Sequence, residues 1–198
     1  MRPPSIPIAA LRPTPSPSRI ATAARVFVAQ VLLACVAGCQ PARDDLDGQV
    51  ASWVLAQGGR VTVEANAHKY ELEPKHRLPA GDFRVTRISW DVYPGDENTA
   101  VTDADLARFV ELQQLRELDL WTAPITDAGL VHVGKIASLE RLQLSQTPIT
   151  DAGLLHLAGL TRLKQVTLVG TQVTASGLTA FRRKHPGCEV LTGQGSKG

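Results

Sequence analysis

The chain has 198 residues, 21 basic and 19 acidic side chains, and 43% hydrophobic residues, enough for one domain with a continuous core. Its formal charge of +2 is unevenly placed, because residues 1–38 hold four arginines and no Asp, Glu or Lys. From Cys39 onward 17 basic groups face 19 acidic ones, which removes the case for nucleic-acid binding, since that needs a dense positive footprint.

In chain order, a Pro/Ser-rich run, PTPSPS, precedes the 13-residue mostly apolar stretch VFVAQVLLACVAG that follows Arg25. A membrane-spanning helix needs about 20 such residues, so the stretch fits the apolar region of a secretory signal better than a span. Its end, Val36-Ala37-Gly38-Cys39, resembles the lipobox of bacterial lipoprotein precursors. That resemblance implies a signal peptide over 1–38, lipidation of Cys39, and an exported, membrane-anchored protein, periplasmic or at the cell surface. Residues 39–44 then form a tether. The five residues QPARD at about 3.3–3.6 Å each let the domain stand no more than about 20 Å from a membrane.

Residues 45–64 predict a helix and a strand. LDGQVASWVLAQ puts Leu46, Val50, Trp53 and Val54 on one helical face, Gly58-Gly59 stops the helix, and RVTVE reads as a strand. NAHKYELEPKHRLPAGDF reads as a polar connection, so that 45–84 forms an N-terminal cap and linker.

From 85 to 192 the chain repeats. PITDAGL stands at 124–130 and again at 148–154. The surrounding frame, LRELDLWTAPITDAGLVHVGKIAS, LERLQLSQTPITDAGLLHLAGLTR and LKQVTLVGTQVTASGLTAFRRKHP, recurs every 24 residues from Leu115. VTRISW with VTDADL fits the same frame earlier, with six extra residues after Asp91, a candidate functional loop. Val190 begins a last strand, and 193–198 is a tail. LxxLxL alternates as a half-buried strand does. Thr102, Thr126 and Thr150 predict helix N-caps, with Asp103, Asp127 and Asp151 in the first turn, where a carboxylate suits the helix dipole. Leu130, Val133 and Ile136, then Leu154, Leu157 and Leu160, return at helical spacing toward the strand. Ala123 replaces the Thr of the turn, and Ala175 replaces the Asp, which predicts a weaker last helix start.

These motifs resemble the leucine-rich-repeat family, in the T-[ITV]-T-D-x-G-L variant. The resemblance implies an α/β solenoid with a parallel sheet on the concave side, helices on the convex side, and a short helix-strand N-terminal cap. It implies a protein or peptide partner on the concave face, without catalysis and without a cofactor. The strand positions between the leucines then supply the binding candidates: Arg87, Asp91 and Tyr93, then Glu117, Asp119 and Trp121, then Arg141 and Gln143, with Ser89, Ser145, Gln165, Thr167 and Val169 in the same ladder. Trp121 leads, because aromatic and Arg residues anchor interfaces.

Other chemistry has little to stand on. His132 and His156 occupy one repeat position, but two histidines without a third ligand make a poor metal site. HExxH, GxSxG, a P-loop and CxxC are all missing from the sequence. Cys188, with no base that the sequence positions beside it, reads as a structural thiol. A structural envelope protein without a specific concave ligand is the alternative, and a regulatory subunit of an enzyme a further one.

Overall fold

A computed structural model of the chain describes residues 46–90 and 101–193. The expectations for 1–38 and the tether, for Cys39, for Asp91 and Tyr93, and for most of the tail lie outside the described residues. The described residues form an α/β fold around a seven-stranded, mostly parallel sheet.

The chain enters through α1 (Leu46–Ala56), which buries Val50, Ala51, Val54 and Leu55. At its start the buried Asp47 carboxylate accepts the Val85 backbone N–H at 2.6 Å, and burial pushes the Asp47 pKa up despite that bond. Strand β1 (Arg60–Ala65) alternates half-buried and buried positions as its sequence predicts. The polar connection, however, contains a strand. β2 (His68–Leu72) returns antiparallel along β1, so the region expected as a helix-strand cap holds a helix with a two-stranded hairpin. Its turn residues Asn66 and Ala67 both have positive φ, 51° and 63°, the geometry that matches the twist of a two-residue hairpin. Four of the five β2 residues are exposed, so the strand lacks the apolar alternation by which strands are read.

β3 (Arg84–Ser89) pairs antiparallel with β1 through a bulge at Thr62/Val63, then parallel with β4 (Glu117–Asp119). β5 (Arg141–Gln143), β6 (Gln165–Thr167) and β7 (Glu189–Leu191) follow in parallel, giving the order β2-β1-β3-β4-β5-β6-β7. Each parallel step from β4 onward advances 24 residues, so Glu117, Arg141, Gln165 and Glu189 are direct neighbours. Between the strands run a 3-10 helix (Asp103–Phe109), α2 (Asp127–Val133), α3 (Asp151–His156) and α4 (Ala175–Lys184). Leu118, Leu142 and Val166 from the strands join Leu130, Val133, Ile136, Leu154, Leu157 and Leu160 in one buried cluster, as the periodicity predicts.

The repeated spacing of Thr, Asp and Gly has a tertiary cause that local reading misses. Asp103 accepts the Thr126 backbone N–H at 2.8 Å and its hydroxyl at 2.6 Å. Asp127 does the same to Thr150 at 2.9 and 2.5 Å, and Asp151 to Thr174 at 2.8 and 2.6 Å. Each Thr Oγ1 in turn accepts a backbone N–H of its own helix: Ala128 for Thr126, Ala152 for Thr150 and Gly177 for Thr174. The Thr174 bonds, its hydroxyl first, hold the Asp151 carboxyl below its ordinary pKa. Gly129, Gly153 and Gly177 leave room for these carboxylates, since an added Cβ at each would overlap Asp103, Asp127 and Asp151 respectively.

The structure corrects one expectation at the start of this ladder. Thr102 starts a 3-10 helix instead of an α-helix. Its N–H and hydroxyl go to Asp105 of its own turn, at 3.1 and 2.7 Å. At the other end α4 begins at Ala175, keeps its Thr174 cap and, with 10 residues, is longer than α2 or α3. Asp at this position serves the following turn, and β7 is followed by no further helix among the described residues.

The turn after each strand is also periodic. Thr122, Gln146 and Gly170, 24 residues apart, have φ of 58°, 60° and 73°. Thr147 and Thr171 donate their hydroxyls to the Leu144 and Leu168 carbonyls at 2.6 and 2.9 Å, a bond that the buried Ala123 cannot make. A β-branched residue at positive φ is strained where Gly is not. Thr122→Gly is therefore expected to raise stability by about 0.5–1 kcal/mol, read as a higher urea midpoint at unchanged slope.

Candidate functional site

The sheet face opposite the helices carries the predicted ladder. Arg87, Glu117, Arg141 and Gln165 form one row, and Ser89, Asp119, Gln143 and Thr167 the next. Apart from Ser89, these residues line a shallow depression of about 160 Å³, with Leu118 and Leu142 at its floor. Five of the predicted residues, Arg87, Glu117, Asp119, Arg141 and Gln143, are thus brought together. Trp121 is not in the depression; it is half-buried in the turn beyond β4.

Most of these groups have internal work. The Arg141 guanidinium lies 2.5 Å from Glu117, whose other oxygen is 3.9 Å from Arg87. Gln165 bonds Glu189 at 3.0 Å. The Asp119 carboxylate accepts the Trp121 backbone N–H at 3.1 Å, and Gln143 serves Ser145 in the same way, accepting its hydroxyl at 3.0 Å. Side chains at these positions therefore fix the turn after each strand. Arg141 and Arg87 remain 59% and 45% exposed, so their ion pairs contribute about 0–1 kcal/mol each and leave the guanidinium edges open to a partner.

A second group gathers at the C-terminal ends of the helices. Glu140 holds Lys164 at 2.7 Å and Arg162 at 3.3 Å, and its pKa is lowered, chiefly by the Lys164 bond. With Lys184, His185 and Cys188 these residues border a cavity of about 540 Å³. Cations at this edge also complement helix C-termini. Burial, and Glu189 next to it, raise the Cys188 pKa, so its thiol stays protonated and unreactive at neutral pH. Among the described residues, no group of three or more His, Cys, Asp or Glu gathers as metal ligands, and no helix is long and apolar enough to cross a membrane. His132 and His156 stand in the last turns of α2 and α3.

His185 was not singled out by sequence. Its ring is buried and meets Phe181 at a tilt of 32° with 4.6 Å between centroids, and burial, aided by Lys184, lowers its pKa below the ordinary 6.5 against a Leu157 backbone bond. Below pH 6.5 the unfolded chain therefore takes up a proton that the folded chain resists. Stability falls as pH drops from 6.5 to the lowered folded value. The urea midpoint is expected to fall between pH 7.5 and 5.5, and His185→Gln to flatten that fall.

Neither a scan against protein-family models nor a search of curated proteins finds a match for this chain.

Proposed function

We propose that this chain is a lipid-anchored interaction module of the cell envelope, built as a leucine-rich-repeat solenoid, that binds a protein or peptide partner on its helix-free sheet face. The observation that carries the reading is the in-register ladder: Arg87, Glu117, Arg141, Asp119, Gln143 and Thr167 converge on one depression, with no described element over it. A rigid sheet presenting exposed Arg beside polar acceptors suits recognition of an extended polar segment. The 24-residue advance and the Asp–Thr bonds that tie each turn to the next support the solenoid. The sequence around Cys39 supports the anchor and the export. The module carries no catalysis of its own in this reading.

The pairing of Glu117 with Arg87 and Arg141 favours a second reading, a structural envelope protein whose ladder serves only its own sheet. Quantitative crosslinking capture from native envelopes separates the two. The lipidated wild type is compared with an Arg141→Ala, Gln143→Ala variant of wild-type circular dichroism. Enrichment of one protein by the wild type and its loss with the variant supports the binding module. Identical captures favour the structural reading. Cys39→Ala is expected to move the protein out of the membrane fraction in either case.

A further inference from the structure

The sheet ends at β2, whose outer edge no described element covers. This edge, five residues long, lacks a bulge, a proline and, among the described residues, a covering element, and its charges are of both signs. Its exposed residues read Lys69, Tyr70, Glu71, with Tyr70 42% exposed. Lys69 and Glu71 share one sheet face, and neither joins an ion pair among the described residues. Tyr70 and Leu72 share the other face, opposite the buried Val63 and Val61.

We propose that β2 pairs antiparallel with β2 of a second copy of this chain, about a twofold axis through Tyr70, joining the two sheets into one. The pattern is its own complement in that register. Lys69 stands opposite Glu71 of the second copy, Glu71 opposite its Lys69, Tyr70 opposite Tyr70, and His68 opposite Leu72. Two cross-strand ion pairs on one face and a ring pair on the other are the contacts that stabilise antiparallel strands. A lone edge lysine repels a second strand, whereas a lysine two residues from a glutamate on one face attracts its own copy. The other free edge does not offer this match: β7 has three residues, and the same twofold pairing would set Glu189 against Leu191. A closed twofold also ends at two copies. One strand pair buries less than about 1,200 Å², which predicts a weak dimer. Edge-to-edge pairing leaves the ladder face, which Lys69 and Glu71 share with Arg87, open in both copies, so the dimer stands whichever partner that face binds.

Disulfide trapping tests the register in the full chain, held in mild detergent with Cys35, Cys39 and Cys188 changed to serine. Opposed residues of an antiparallel pair lie about 4.5–5.5 Å apart between Cα atoms, within disulfide reach. Tyr70→Cys is expected to oxidise to a covalent dimer at least about tenfold faster than Glu189→Cys. Adding Lys69→Glu, which sets four carboxylates around the axis, slows trapping about tenfold, and Lys69→Glu with Glu71→Lys restores it. Light scattering on the wild-type chain shows a dimer growing with concentration up to about 100 µM. A monomer throughout, equal trapping at 70 and 189, or a single charge reversal without effect overturns the proposal; circular dichroism checks that each variant is folded.

Discussion

Asp127→Ala lowers the stability of the folded chain by about 2–3 kcal/mol. The carboxylate holds both the backbone N–H and the hydroxyl of Thr150, and bonds to a charged acceptor contribute more than neutral ones. Its loss strips two donors at the start of α3 and unties one turn of the chain from the next. Gly153→Ala costs about 2–3 kcal/mol for the converse reason: its new Cβ overlaps the Asp127 carboxylate and crowds the Ile149 side chain. The two losses are coupled. Once Asp127 is alanine, much of the clash is gone, so Gly153→Ala costs less than half as much in that background. Urea unfolding of the two single variants and the double variant measures this cycle. Strictly additive losses would mean that the glycine is required for some reason other than the carboxylate beside it.

Trp90→Ala is expected to cost more, about 3–5 kcal/mol, as truncation of a buried aromatic does. Trp90 is fully buried between the cap and the first parallel strands. Its ring meets Trp53 of α1 edge-on at 6.0 Å and stacks on Phe109 of the 3-10 helix at 5.9 Å. Arg108 lies over Trp53, 4.9 Å from the ring centroid, and adds a cation–π contact at the rim. Gly59 lets β1 approach: a Cβ there would stand 2.8 Å from the Trp90 ring. Trp90→Phe keeps most of the packing and removes an indole N–H that has no acceptor among the described residues, so it costs less than half of the alanine change. Thermal unfolding followed by circular dichroism ranks the two. If both cost the same, the indole does more than fill space.

The elements read best from sequence are those with strong period and apolar contrast. LxxLxL put Leu118, Leu142 and Val166 in the core, and helical spacing did so for Leu130 and Leu154. β2 escaped because an edge strand exposed at four of five positions has no contrast to read. The Asp of each TD pair was legible as an N-terminal charge but not as a clamp, because its contacts lie 23 residues on and not within its own helix. For the same reason Ala175 read only as a lost N-terminal charge, although among the described residues no helix follows β7 to take a carboxylate from this position. In the candidate site, the alternation of strand positions assembled Arg87, Glu117, Asp119, Arg141 and Gln143 correctly. It could not show that Asp119 and Gln143 brace the following turns, nor that Trp121 lies outside the depression. His185 has no repeat partner and no motif, and only its burial against Phe181 marks it.

Site-specific photo-crosslinking in native envelopes tests the central claim most directly. A photoreactive side chain is placed at Gln143, in the ladder, and in a separate variant at Thr179, exposed on α4. A sheet-face binding module gives one discrete crosslinked protein at 143, lost on Arg141→Ala, and none of that species at 179. The same species from both positions, or none from 143 while the chain is folded and membrane-bound, would contradict it.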